Sequence, residues 1–188
     1  RPSGGRHAGY RFPRRPGCHP VTAGTACGAE ARDGDGNGGG DGDGETDGTR
    51  AAAVTRSVTR GAARLFEDLG QAVITELRLA NGRRADLAAV APDGTITIVE
   101  VKSGVPDFAS DRKWDEYGPF CDRFFFAVAP AFPLERLPDG EVCGLIVADA
   151  WGAEIVRDSP IFRLAPARRK AMTLRFATVA ARRLRGLE

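Results

Sequence analysis

Arg84-Ala85-Asp86-Leu87-Ala88-Ala89-Val90-Ala91-Pro92-Asp93-Gly94-Thr95-Ile96-Thr97-Ile98-Val99-Glu100-Val101-Lys102-Ser103 reads as two strands around a Pro-Asp-Gly turn. The apolar and β-branched residues on either side predict that Ala85 to Ala91 pairs antiparallel with Thr95 to Lys102. If Ala91 faces Thr95, every facing pair of numbers has the same sum, and Asp86 lies opposite Glu100. Strand side chains alternate with period two, so Lys102 joins Glu100 on that face, while Leu87, Ala89, Val99 and Val101 point to the other. Two acids and an ammonium thus converge at the open end of the hairpin. Facing carboxylates repel unless one is protonated or a cation sits between them, and a divalent metal relieves that repulsion directly. A charged, solvated surface hairpin is the plain alternative. Against it, the acids sit among Ile96, Ile98 and Val99, where an uncompensated charge is costly.

Asp86, a hairpin and then Glu100-Val101-Lys102 resembles the PD-(D/E)xK nuclease superfamily, and the wider stretch from about Val58 to Leu184 is similar to the MmcB-like DNA-repair proteins. Ala85 stands where the superfamily's name has proline. The resemblance implies a restriction-endonuclease-like α/β fold, a mixed central sheet flanked by helices. It implies that Asp86 and Glu100, with the backbone carbonyl of Val101, hold one or two Mg²⁺ (or Mn²⁺) ions, and that Lys102 orients or activates the attacking water. The function it implies is a metal-dependent DNA endonuclease that hydrolyses phosphodiester bonds in bacterial DNA repair. Its partners would be DNA and other repair proteins. A non-catalytic DNA-binding or adaptor protein that keeps the nuclease fold within a repair complex is the alternative. The intact set of Asp86, Glu100 and Lys102 favours the enzyme, since a binding module has no need of all three. With no helix-turn-helix or finger motif in view, recognition of DNA structure is expected rather than recognition of sequence.

The 188-residue chain becomes globular in composition only after about residue 50. Residues 1–49 are rich in Gly, Arg, Pro, Asp and Thr and nearly devoid of Leu and Ile, so they cannot bury enough apolar surface to offset chain entropy and are expected to be disordered. Residues 50–188 are expected to form one domain. The tail shows no apolar core of a secretory signal. Its Asp33-Gly-Asp35-Gly-Asn37-Gly38 run opens like an EF-hand loop, but Gly44 stands where the bidentate Glu is needed. Cys18, His19, Cys27 and His7 fit no paired zinc-ligand spacing. Cys121 and Cys143 fall in apolar stretches and read as small buried hydrophobes of a reducing cytoplasm. No stretch reaches the length of a membrane span.

The net charge of +2 conceals a basic C-terminus, where Arg168, Arg169, Lys170, Arg175, Arg182, Arg183 and Arg185 face a single acid, Glu188. Such a helix either tracks phosphates or presents a solvated face, and Arg168, Arg169, Lys170, Arg182 and Arg183 are the DNA-contact candidates. Helical spacing from Thr49 or Thr55 to about Asp68 predicts a first helix, with Glu67 on its last turn a candidate accessory metal ligand. Gln71 to Leu79 alternates as a strand and carries Glu76, either an accessory ligand or the partner of Arg78 or Arg84. Beyond Ser103-Gly104-Val105-Pro106, a helix capped by Asp107 or Ser110 is expected to run to Tyr117 beside the site. In it Lys113 is a candidate phosphate contact, and Trp114 and Tyr117 are expected to pack on the sheet rather than stack a base. Arg123 to Ala129 predicts a buried central strand, Val142 to Ala148 another, Gly152 to Val156 an edge strand, and Ala167 to Leu187 a closing helix.

Overall fold

The computed structural model describes residues 47–186, apart from 112 and 139. The EF-hand-like run and the possible zinc ligands of the tail lie outside the described residues, as does nearly all of the segment expected to be disordered. Helix α1 (Asp47–Asp68) nevertheless takes in the last three residues of that segment. Strands β1 (Ala72–Arg78), β2 (Arg84–Val90) and β3 (Ile96–Lys102) form an antiparallel meander. Strands β4 (Arg123–Val128) and β5 (Gly144–Ala148) then add in parallel, and β6 (Ala153–Arg157) returns antiparallel at the edge. The result is a mixed six-stranded sheet in the order 1-2-3-4-5-6. Helix α3 (Pro166–Arg185) closes the described chain.

The turn sets the register as the sequence predicts, with Val90 opposite Ile96 and Leu87 opposite Val99. Gly94 adopts φ 81°, a conformation costly for any residue with a side chain, and Asp93 accepts a hydrogen bond from the Thr95 N–H at 2.8 Å. Each face of the sheet has its own core. Val58, Ala62 and Phe66 of α1 pack on Leu87, Ala89, Val99, Val101 and Phe125. On the opposite face, Tyr117 and Phe120 cover Ile96, Ile98, Phe124 and Phe126. A strand between two parallel neighbours is buried on both sides, which explains the unbroken Phe124-Phe125-Phe126 run.

The crossover from β3 to β4 departs from the single helix expected. Helix α2 spans only Val105–Ser110, the chain becomes extended at Asp111, and a 3-10 helix covers Trp114–Phe120, running through Gly118-Pro119, a pair that ordinarily ends an α-helix. Asp107 lies inside the first turn of α2 and takes both the N–H and the hydroxyl of Ser103 with one carboxylate oxygen. Trp114 and Tyr117 stack on Phe124, with ring centroids 5.9 and 5.7 Å away. Both aromatics therefore pack, as expected.

Asp122, 2% exposed, is the polar hub at the other end of this layer. It accepts the N–H groups of Ile96 and Leu164, each at 2.9 Å, and both terminal nitrogens of Arg169, at 2.8 and 2.6 Å. One side chain thereby ties the start of β3 and the approach to α3 to that helix's first turns. Its carboxyl is held below the ordinary value: burial opposes ionisation, but the Arg169 bonds and two backbone N–H groups outweigh it. Replacing Arg169 by Ala strands that buried carboxylate. The expected loss in a denaturant melt is about 3 kcal/mol, the low end for a broken buried pair because solvent reaches Arg169. Helix α1 supplies a second check. A Cβ on Gly61 would lie 2.2 Å from the Asp149 carbonyl oxygen and 2.4 Å from that of Gly152, both backbone atoms that cannot swing away. Gly61→Ala should lower stability by about 1–3 kcal/mol despite alanine's better helix propensity. Gly48→Ala in the same helix, facing open space, should leave the melt unchanged or slightly raised.

Candidate metal centre

Period-two alternation fails at one place in the meander, and that place is the site. Ile74 and Leu77 of β1 point into the same core, as do Ala85 and Ala88 of β2, so each strand slips by one residue between them. Glu76 sits at the slip with φ 51°, the one non-glycine residue of positive φ among those described. Across from it lies Asp86. Strained backbone of this kind persists where surrounding contacts over-determine it. The slip ends the β2–β3 ladder at Leu87 and Val99. The Val101 N–H, whose next acceptor would come from Ala85, is bonded instead by Asp86 Oδ2 at 2.8 Å.

Glu100 and Lys102 follow on β3, where strict alternation still holds and turns both toward Tyr117. The Lys102 side chain is 4% exposed. Its Nζ lies 3.2 Å from Glu100 Oε1 and 2.6 Å from Asp111 Oδ2, two ion pairs made in a largely dry setting. The Tyr117 hydroxyl faces Glu100 but donates its one proton to the Arg84 carbonyl oxygen at 3.0 Å. Glu100 Oε2 is buried and has no hydrogen-bond partner at bonding geometry, although the rotatable Tyr117 hydroxyl lies near enough to stabilise its ionised form. Burial, followed by repulsion from Asp86, pushes the Glu100 carboxyl from 4.5 up to about 7, with Lys102 offsetting only part. Asp86 is raised too, chiefly by burial. Burial alone would lower Lys102, but Glu100 and Asp111 together hold it above its ordinary value, so it is charged.

A donor-less buried oxygen on one of two mutually repelling carboxylates is what a cation would satisfy. In an extended strand the N–H and C=O of one residue leave on the same side, so the Val101 carbonyl accompanies its N–H toward Asp86. Among the described residues no group of three or more His, Cys, Asp or Glu side chains could hold a metal. Any ion here would rely on two carboxylates, the carbonyl and water. Mg²⁺ commonly accepts such a set, because it keeps several waters and takes one or two carboxylates plus a phosphate. The residues present therefore fit the group the sequence suggests.

The accessory residues divide. Glu67 is exposed on α1, across the sheet from Glu100 and Lys102, and is not brought to them. Glu76 pairs with Arg84 at 3.5 Å in a solvent-exposed contact, the arginine pairing that is one of its two expected alternatives. Lys113 is exposed next to Asp111, which accepts its backbone N–H at 2.9 Å. Of the basic candidates on α3, Arg169 is committed to Asp122 and Arg183 donates to the Thr75 carbonyl of edge strand β1 at 2.7 Å. Arg168 lies over the Phe120 ring, 5.1 Å from its centroid, and Lys170 and Arg182 are exposed. Asp111 is the functional candidate that sequence reasoning passed over. Its only signal was an acid nine residues beyond the lysine, which no strand or helix period connects to it.

The raised Glu100 carboxyl has a measurable sign. Its folded value near 7 exceeds its unfolded one near 4.5, so the stability it contributes is complete below about 4.5 and is lost as pH rises through 7. Without added metal, the protein should melt higher at pH 5.5 than at pH 7.5. Glu100→Gln should flatten that difference in thermal melts across the range.

The comparisons with known proteins agree with this chain's architecture. A solved structure of a protein of unknown function from Silicibacter pomeroyi is 45% identical, with a TM-score of 0.68 over 71% of this chain and 90% of that one. No curated protein matches significantly. No helix among the described residues is long and apolar enough to cross a membrane. The family described as DNA repair protein MmcB-like matches residues 43–188, and the chain belongs to it.

Proposed function

We propose that this chain is a divalent-metal-dependent DNA endonuclease of the PD-(D/E)xK type, acting in DNA repair. The observation that carries the proposal is the buried Asp86 and Glu100 pair, one oxygen of which has no donor, beside a buried and charged lysine. Family membership supports the link to DNA repair. Asp86, Glu100 and the Val101 carbonyl would hold Mg²⁺ or Mn²⁺. Bound there, the ion would neutralise charge growing on the phosphate and acidify a water. Lys102 stays protonated next to two carboxylates, so it acts as a hydrogen-bond donor that orients water or a phosphate oxygen, not as the base. Exposed Lys113, Lys170 and Arg182 stand apart from the ion pair that occupies Arg169 and suit the sequence-independent phosphate contacts of a structure-reading protein.

One observation favours a second reading, a non-catalytic nuclease-fold adaptor that binds DNA or other repair proteins. Asp86 already has the Val101 N–H, and Glu100 already has Lys102, so the site is partly satisfied by the protein itself. The two readings separate on a cleavage panel of duplex, nicked, gapped, flap and forked DNA with Mg²⁺ or Mn²⁺. Cleavage by the wild type is expected, and Asp86→Asn and Glu100→Gln should each reduce it at least about a hundredfold through loss of the metal's charge stabilisation. Lys102→Ala should lower turnover about a hundredfold by removing one transition-state donor. Metal binding by that variant, measured by calorimetry, should be at least as tight as in the wild type. A wild type that binds neither metal and cuts no substrate would leave the adaptor reading standing.

A further inference from the structure

Asp111 belongs to no part of the hairpin motif, yet it makes the shorter of the two contacts to Lys102, 2.6 Å against 3.2 Å for Glu100. Both of its oxygens are engaged: Oδ2 takes the ammonium and Oδ1 takes the Lys113 N–H at 2.9 Å. Its own backbone is extended, between α2 and the 3-10 helix, so neither helix continues through it. The carboxylate is thus fixed at two points, and its side chain is only 14% exposed. We infer that Asp111 is a positioning residue that takes the closer share of the Lys102 ammonium and limits its hold on Glu100 to one oxygen, leaving Glu100 Oε2 available to a divalent cation; the part of this that concerns metal rests on the reading above.

The physical reason is competition for one buried cation. An ammonium shared by two carboxylates is drawn toward whichever geometry satisfies more of its charge. With Asp111 in place, Lys102 makes its shorter contact to Asp111 and reaches Glu100 only through Oε1, while Glu100 Oε2 has no hydrogen-bond partner. Without the Asp111 charge, Glu100 is the ion-pair partner left to the buried lysine among the described residues. The ammonium then settles on Glu100 and occupies the electrostatic position a metal would take. Asp111 would therefore act on the metal through Lys102, never by touching it. That route separates it from a residue that only stabilises the fold.

The test measures Mn²⁺ binding by calorimetry in the full-length protein, comparing wild type, Asp111→Asn, Asp111→Glu, Lys102→Ala and the Lys102→Ala, Asp111→Asn double variant. Asp111→Asn should weaken Mn²⁺ at least roughly tenfold, the scale on which supporting residues tune a metal site. Asp111→Glu should recover part of the loss. In the Lys102→Ala background the Asp111 substitution should have no effect. Lys102 labelling by reductive methylation without metal, read by peptide mass spectrometry, should rise several-fold in Asp111→Asn while Lys170 labelling stays the same. Unchanged Mn²⁺ affinity in Asp111→Asn, or an equal loss in both backgrounds, overturns the inference. If the wild type binds no Mn²⁺, the metal reading fails and labelling alone decides whether Asp111 anchors Lys102: unchanged labelling overturns that, and a several-fold rise supports it.

Discussion

Lys102 buried between Glu100 and Asp111 is the constraint around which this end of the molecule is built. Strand β3 has neighbours on both sides and cores on both faces, so a lysine near its end keeps its side chain almost wholly out of bulk solvent. An unpaired buried ammonium is costly, and its pairing needs an acid from outside the strand as well as one within it. Asp111 supplies the outside acid. It does so from the extended break between α2 and the 3-10 helix. The 3-10 segment in turn seats Trp114 and Tyr117 on Phe124, and the Tyr117 hydroxyl reaches back to the Arg84 carbonyl beside Asp86.

The same sheet presents a second polar node at Asp122, and the two nodes differ in kind. Asp122 is fully satisfied by two backbone N–H groups and a two-pronged arginine. Its carboxyl is correspondingly held low, the signature of a group whose ionised form the fold supports. Glu100 is the opposite case: burial and a like-charged neighbour disfavour its ionised form, and one oxygen lacks a donor. Groups perturbed in this second way cluster at functional sites more often than fully satisfied structural pairs do. That contrast within one small domain is the physical observation on which the proposed metal site rests.

Charge on α3 illustrates why composition alone overstates a binding surface. Arg169 is taken up by Asp122, while Arg175 and Arg183 donate to carbonyls of β1, an edge strand that would otherwise show more unpaired acceptors to solvent. Met172 is buried and Phe176, Val179 and Ala180 pack beside it on the core, so these polar ties add to the seating of an apolar stripe. The basic face left for nucleic acid is consequently narrower than the count of arginines implies, and Lys170 and Arg182 form its clearest exposed part.

Local pattern in the sequence was enough to determine the meander, its register from Val90 and Ile96 to Leu87 and Val99, the two-sided burial of the Phe124 to Phe126 strand and the shared face of Glu100 and Lys102 on β3. Each of these follows from turn chemistry or period-two alternation, which act between near neighbours and leave a mark on the chain. Only the tertiary structure decided that alternation slips at Glu76 and Asp86, that the expected helix through Asp111 breaks, and that Arg169 and Arg183 serve the fold. Those outcomes depend on contacts between distant residues, such as Arg169 with Asp122 and Arg183 with Thr75. No periodicity encodes which buried charge will find which partner, because that choice is made by the three-dimensional balance of desolvation against pairing.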